Sequence, residues 1–162
     1  MTPLKSIRTF CAGLFALGTL AVGGYAWAQQ AFNPTVSIND IMVFIIDHNS
    51  HALWDVAEDA PDNADDWHLL EHSALALAAA GNLTNIGGTG PNDQAWVMKA
   101  EWQAYSQAMA NAGLAAVDAV RARNVDGVLA AGDALLNSCI GCHREYKPEL
   151  PSVTAQPHMH RP

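Results

Sequence analysis

Basic residues are scarce in this sequence. Its 162 residues include eight lysines and arginines against sixteen aspartates and glutamates, which gives a formal net charge of −8 at neutral pH. Nucleic acids and anionic membrane surfaces bind proteins through clustered cations. The composition therefore argues against both as partners and suits a partner protein with a basic docking surface. The same acidity is equally expected of a chain that only needs to stay soluble.

Strand-like alternation and spare cysteines are also missing. No stretch alternates apolar and polar residues over the length of a strand, so the sequence predicts an all-α fold. Of the three cysteines, Cys11 lies in an N-terminal apolar run, and Cys139 and Cys142 are three residues apart. A framework of several disulfides is thus excluded, although a single bridge between the last two is not.

The N-terminus has the pattern of a secretory signal peptide. Two cations precede an apolar run over residues 10–24, and Ala26-Trp27-Ala28 offers a small-x-small cleavage site. Cleavage after Ala28 would leave 134 residues with a net charge of about −10, because residues 1–28 carry two cations and no acids. We therefore expect one periplasmic domain. The alternative is an uncleaved anchor, since residues 7–28 are just long enough to cross a bilayer.

The most specific motif is Cys139-Ile140-Gly141-Cys142-His143. Two cysteines three residues apart, followed at once by histidine, are the attachment signature of a c-type haem. On a helix both thiols share one face, where they can form thioethers to one porphyrin while His143 ligates the iron. A redox cysteine pair is expected beside a βαβ pattern that this chain lacks, and a plain disulfide leaves His143 unexplained. We expect one covalently attached haem c per chain.

Apolar periodicity predicts four helices between residues 37 and 147. Ser37-Ile38-Asn39-Asp40 is a capping-box-like start for the first, and Gly81 is placed to end the second. Asn92 or Asp93 is predicted to cap the third, and Asn124 to end the third or cap the fourth. The predicted helices span about 38–58, 62–81, 92–123 and 125–147.

The third and fourth predicted helices each have a clear inner stripe. The stripe of the third helix begins with Met98 and Trp102 and continues to Val120. Gly113 is the residue inside this helix that favours helical structure least. The stripe of the fourth includes Cys139 and Cys142, so the haem would be carried on a core-facing surface. Four helices with short joins pack as an antiparallel bundle. We expect this domain to span residues 29–147, followed by a disordered, proline-rich tail over residues 148–162.

With these features the chain resembles the class II cytochromes c, which include cytochrome c′ and its low-spin relatives. The resemblance covers nearly all of the chain that would remain after cleavage and rests on the four-helix pattern with Cys139, Cys142 and His143 near the C-terminus. It implies an antiparallel four-helix bundle, haem c on the last helix, His143 as the proximal iron ligand, a periplasmic location and frequent homodimers. It also implies a distal position early in helix one, where Met42 lies.

The role of Met42 separates two expected functions. As the distal ligand it would give a low-spin, one-electron carrier that is not an enzyme. If Met42 only fills space, the iron would be five-coordinate, and an apolar pocket formed by Ile41, Phe44 and Ile45 would admit nitric oxide or carbon monoxide. His48 is a weaker ligand candidate, because it lies six residues further on and off the stripe of Met42.

Two further histidine patterns have weaker interpretations. His68-Leu69-Leu70-Glu71-His72 fits the spacing of inverted zinc peptidases, but such a site needs a third protein ligand and an open cleft. We therefore expect both histidines to be partly exposed residues near a helix contact. His158 and His160 in the tail could bind a divalent metal, although two histidines without a preformed site bind weakly.

Aromatic and basic residues offer additional contacts to a porphyrin. The aromatics are expected to be mostly core or interface residues, any one of which could stack on the ring; they are Trp54, Trp67, Trp96, Trp102 and Tyr105. The cations that could reach haem propionates, each otherwise a solvated surface charge, are Arg121, Arg123, Arg144 and Lys147.

Overall fold

The structure, a computed structural model, describes residues 32–149. Every regular element in this part of the chain is helical, which confirms the predicted all-α fold. The predicted signal peptide and all but the first two residues of the predicted tail lie outside the described residues. The elements are α1 (Ile38–Ile41), a π-helical segment (Met42–Asp47), α2 (His48–Trp54), a 3-10 turn (Asp55–Ala57), α3 (Ala64–Leu83), α4 (Asp93–Val97), α5 (Ala100–Arg121) and α6 (Val125–Tyr146).

The first helical stretch begins where the sequence predicted. The Ser37 hydroxyl accepts a hydrogen bond from the Asp40 N–H (3.0 Å), and the Asp40 carboxylate accepts from the Ser37 N–H (2.9 Å) and hydroxyl (2.7 Å). These bonds form a capping box, which satisfies N–H groups that have no partner inside the helix. The hydrogen bonds from the Ser37 hydroxyl and N–H lower the pKa of the Asp40 carboxyl.

Asp93 connects the start of α1 to the loop before α4. Its carboxylate is buried and accepts hydrogen bonds from the backbone N–H groups of Ile38 (2.9 Å) and Gly90 (2.8 Å). Asn92 occupies the N-cap position of α4, but its side chain makes no capping hydrogen bond. The expected side-chain cap of the third helix is therefore not formed, and the Asp93 carboxylate serves the first helix instead.

The turn that starts at Met42 is wider than an α-helical turn. Residues Met42–Asp47 have π-helical geometry before α2 resumes the ordinary helix. A π turn holds one more residue than an α turn, so it changes the angular position of everything that follows. Ile41 before the turn and Leu53 after it are both buried, whereas Phe44 within it is 75% exposed.

Two glycines allow α3 and α5 to approach closely. Gly81, which was predicted to end a helix, lies inside α3, which continues to Leu83. A Cβ at Gly81 would lie 2.6 Å from the backbone nitrogen of Ala110, and one at Gly113 would lie 2.5 Å from that of Ala78. Only glycine fits at such contacts, because backbone atoms cannot move away without separating the helices.

The predicted third helix is interrupted at Met98. α4 ends at Val97, Lys99 has an extended backbone (φ −91°, ψ 133°), and α5 begins at Ala100. Met98 is 81% exposed, so its predicted place on the inner stripe is wrong. The interruption changes the register of the two segments, and Trp102 is the first large residue of α5 that is buried, as predicted.

α6 carries the cysteine motif on a helix, as predicted. It begins after Asn124, whose side-chain oxygen accepts the Gly127 N–H (3.1 Å), and it ends at Tyr146. Its inner face packs against α5 and α2, and α3 also packs against both of those helices. Among the described residues, α6 is long and apolar enough to cross a membrane, a composition that is equally expected of a helix in a protein core.

Candidate functional site

A narrow cleft of about 20 Å³ lies between the π-helical segment, α5 and α6. We call it the central cleft. It brings together the four residues that the sequence singled out, although Met42 and His143 come from opposite ends of the described chain. Its lining residues are Met42, Ile46, Trp102, Tyr105, Ser106, Met109, Ser138, Cys139, Cys142 and His143.

The two thiols of the motif lie on the cleft side of α6 and do not form a disulfide. Burial, together with the neighbouring Cys139 thiol and the negative charge of Glu145, raises the pKa of Cys142 to about 12. Burial also raises the pKa of Cys139. Both thiols are therefore protonated at neutral pH. Redox-active cysteines have the opposite property, a lowered pKa, so this environment does not favour a thioredoxin-like pair.

His143 follows the second thiol and completes the α6 side of the cleft. It is half-buried. Burial lowers the pKa of its imidazole, and the positive charge of Lys147 one turn later lowers it further. The ring is therefore neutral at neutral pH, which is the form that binds a metal.

Met42 supplies a thioether from the π-helical wall of the cleft. It is partly buried and packs against two hydrophobic clusters. One is the main core between the long helices, and the other consists of Ile38, Val97, Trp102, Cys142 and Tyr146. His48, the weaker candidate, is exposed and does not line the cleft. The structure thus brings Met42, and not His48, to the same cleft as His143.

The apolar pocket predicted beside Met42 has different residues from those expected. Phe44 is 75% exposed, and neither Ile41 nor Ile45 lines the cleft. Ile46 lines it instead. Ile46 is four residues after Met42 and so shares its helix face, whereas Phe44, two residues after Met42, lies on a different face.

α5 forms the third wall through Trp102 and Tyr105, two of the five aromatics that the sequence offered as stacking partners. The Trp102 indole N–H donates to the carbonyl oxygen of Thr84 (2.9 Å), which orients the ring beside the cleft. The Tyr105 ring lies against the motif glycine, since a Cβ at Gly141 would be 2.6 Å from Tyr105 Cε1. Apolar periodicity had placed Trp102 and Tyr105 on an inner stripe, but one stripe does not reveal which helix it faces.

The remaining aromatics and cations lie outside the cleft. Trp96 stacks on the far side of the cleft wall, with its ring centroid 5.1 Å from that of Trp102 and an interplanar angle of 19°. Lys147 lies 5.6 Å above the Trp96 ring. Arg121 donates a hydrogen bond to Glu71 (2.7 Å), so it is engaged on α3.

The His68–His72 pattern lies on the exposed surface of α3. Both side chains are exposed, as expected, and their ring centroids are 4.2 Å apart. Within residues 32–149, no group of three or more histidine, cysteine, aspartate or glutamate side chains is arranged to hold a metal ion. The tail histidines, His158 and His160, lie outside the described residues.

Comparison with known proteins leaves the cleft to be interpreted from its own chemistry. No family model, curated protein or solved structure matches the chain.

Proposed function

We propose that this protein is a periplasmic c-type cytochrome that carries single electrons. One haem c would be attached through Cys139 and Cys142, with His143 as the proximal and Met42 as the distal iron ligand. One observation supports this proposal most: the four residues that the sequence predicted to hold the haem line a single cleft. Under this proposal the protein is a carrier and not an enzyme.

The chemistry of the cleft fits this group. Its walls include Trp102, Met109 and Ile46, which suit the apolar faces of a porphyrin. The Ser138 hydroxyl donates to the Leu135 carbonyl (2.7 Å), and the Ser106 hydroxyl is hydrogen-bonded to that of Thr84 (3.0 Å). These hydroxyls therefore already have partners within the protein, which leaves the thiols, the imidazole and the thioether as the reactive groups.

Each of these residues has a distinct task. Haem c, when bound, supplies reversible one-electron exchange at its iron. Cys139 and Cys142 lie one turn apart on α6, so their thioethers would fix the group against a rigid helix. His143 offers a neutral imidazole from the same helix. Met42 would close the opposite side, and methionine ligation raises the reduction potential.

The proposal includes the antiparallel four-helix bundle of the class II cytochromes c. The four long segments are the stretch over residues 38–57, α3, α5 and α6. Contacts between α2 and α3, α3 and α5, α5 and α6, and α6 and α2 make a closed ring around the core, which supports this arrangement. The two segments that would hold the iron, residues 38–57 and α6, are neighbours in this ring.

Export and partners complete the proposal. The signal-like N-terminus suits a haem that would be attached outside the cytoplasm. The net charge of −8 suits redox partners with a basic docking surface, and copies of the chain could pair as homodimers, as the resemblance implies. We propose neither a nucleic-acid partner nor a membrane partner after signal cleavage.

The packing of Met42 also supports a second candidate function, the binding of nitric oxide or carbon monoxide. Met42 contacts both hydrophobic clusters, which is also where a purely space-filling methionine would lie. If it does not ligate, the iron would be five-coordinate and open to nitric oxide or carbon monoxide. Ile46 would then line the distal side.

Replacement of each cleft methionine by leucine separates the two functions. The optical spectra of the exported protein should show a c-type haem that is low-spin in both oxidation states and resists carbon monoxide. Met42→Leu should be high-spin and bind carbon monoxide rapidly, because leucine keeps the volume but not the sulfur. Met109→Leu, which lines the same cleft, is the matched control and should stay low-spin.

Three results would contradict parts of the proposal. A colourless exported protein would exclude haem attachment altogether. A wild-type spectrum that is already high-spin would favour the gas-binding function. An unchanged low-spin spectrum in Met42→Leu would remove Met42 as the ligand.

A further inference from the structure

His68 and His72 form a pair of adjacent imidazoles on the outside of α3. They are four residues apart, so they project from one face of the helix, and their ring centroids lie 4.2 Å apart. Both side chains are exposed to solvent. Two histidines at this spacing on one helix are the arrangement by which a helix presents two ligands to one metal ion.

The separation of the rings indicates that both can reach one metal ion. With a metal–nitrogen distance of about 2.0 Å, two imidazoles bound at right angles hold their centroids about 4.5 Å apart, and a tetrahedral angle gives about 5.1 Å. The observed 4.2 Å is slightly below both values, so small rotations of the exposed rings bring them to either. Among the divalent first-row metals, copper(II) binds nitrogen ligands most tightly.

The surroundings leave the pair available and set the number of protein ligands at two. The carboxylate of Glu71, which lies between the histidines in sequence, is held by Arg121 at 2.7 Å. No third metal-binding side chain joins the pair within the described part of the chain. Water would therefore occupy the remaining positions. The 20-residue helix α3 carries both histidines on one rigid element.

We propose that His68 and His72 chelate one copper(II) ion on the surface of α3. The proposal uses no residue of the central cleft, so it is independent of the proposed haem. The motif that contains both histidines, residues 68–72, would thus bind a metal through two histidines and would not form the three-ligand site of a zinc peptidase.

Calorimetric titration of the full exported protein with copper(II) chloride tests this site. Wild type should bind one ion tightly, with two nitrogen ligands visible in the copper electron paramagnetic resonance spectrum. His68→Gln and His72→Gln should each weaken binding about a hundredfold, because the second imidazole of a chelate acts at a high effective concentration. Both positions are exposed, so the variants should fold, which circular dichroism would verify.

Three control variants make the assignment specific. His72→Gln combined with Ser73→His keeps the number of histidines but moves one off the face of His68, so its binding should be as weak as that of His72→Gln. His48→Gln, another exposed histidine, and the tail variant His158→Gln/His160→Gln should bind like wild type. Equal copper affinity in wild type and His68→Gln/His72→Gln would overturn the proposal, as would loss of the tight site in either the His48 or the tail variant.

Discussion

Replacing Gly113 by alanine should destabilise the protein, although alanine is the better helix former. In an open helix position this change stabilises by about 1 kcal/mol. Here the new Cβ would lie 2.5 Å from the nitrogen and 2.8 Å from the Cα of Ala78. α3 would have to move by about 1 Å to restore ordinary contact, and such overpacking costs about 1–3 kcal/mol. We therefore expect a net loss of about 1 kcal/mol in the free energy of unfolding.

Gly81→Ala provides a second test of the same contact. Its Cβ would meet Ala110 at 2.6 Å, so both substitutions push the same two helices apart. Once one has separated them, the other should cost less, and the double variant should lose less stability than the sum of the single variants. Non-additivity of this kind is expected when two sites share one displacement.

Denaturant unfolding of the exported protein, followed by far-ultraviolet circular dichroism, measures these differences. Ala115→Gly, at an exposed position of the same helix, is the control for helix propensity and should lose about 1 kcal/mol. If Gly113→Ala were instead about 1 kcal/mol more stable than wild type, the close approach of α3 and α5 would not limit the packing, and this reasoning would be wrong.

Substitutions at three other positions test individual contacts. Asp93→Ala should lower the free energy of unfolding by about 2–4 kcal/mol in denaturant titrations, because two N–H groups lose their acceptor; Asp93→Asn should lose less, and equal losses would count against this role. Asp40 has a lowered pKa when folded, so its charge stabilises at neutral pH. The stability difference between wild type and Asp40→Asn should vanish as the pH falls below about 3.9 and through the folded-state value, whereas a pH-independent difference would exclude this linkage. In Gly141→Ala the Cβ would lie 2.6 Å from Tyr105 Cε1, a ring edge that can rotate. Stability should therefore change by less than about 1 kcal/mol, while nuclear magnetic resonance shows a shifted Tyr105 ring; an unshifted ring would contradict the contact.

Helix ends were predicted correctly where the cap is made by neighbouring residues. The Ser37 capping box and the Asn124 cap both depend on residues within one turn, and both are formed. Gly81 was interpreted as a helix end, but it is a contact point for Ala110 on another helix. Asp93 was interpreted as a local cap, but it serves Ile38 instead. These roles depend on residues far along the chain, which local patterns do not identify.

The residues of the candidate site also fall into those that the sequence identified and those that depend on distant parts of the chain. Cys139, Cys142 and His143 belong to a contiguous motif, and Met42 was indicated by a family resemblance; the structure brings all four to one cleft. Ile46, four residues after Met42, could have been assigned from helical spacing alone. Which helix Trp102 and Tyr105 face depends on packing between distant parts of the chain, and neither the π-helical segment nor the helix break at residues 98–99 has a distinct sequence signal here.

The wide turn over Met42–Asp47 makes the number of residues in this helix a determinant of the cleft. Removal of one exposed residue, such as Val43, would allow an unbroken α-helix, in which each residue advances about 100° around the axis. With one residue fewer, the α-helix advances through nearly the same angle, so Met42 and Leu53 would keep their relative positions. At its present length an unbroken α-helix would instead turn Met42 by about 100° relative to Leu53 and away from the cleft, so the wide turn is what absorbs the additional residue.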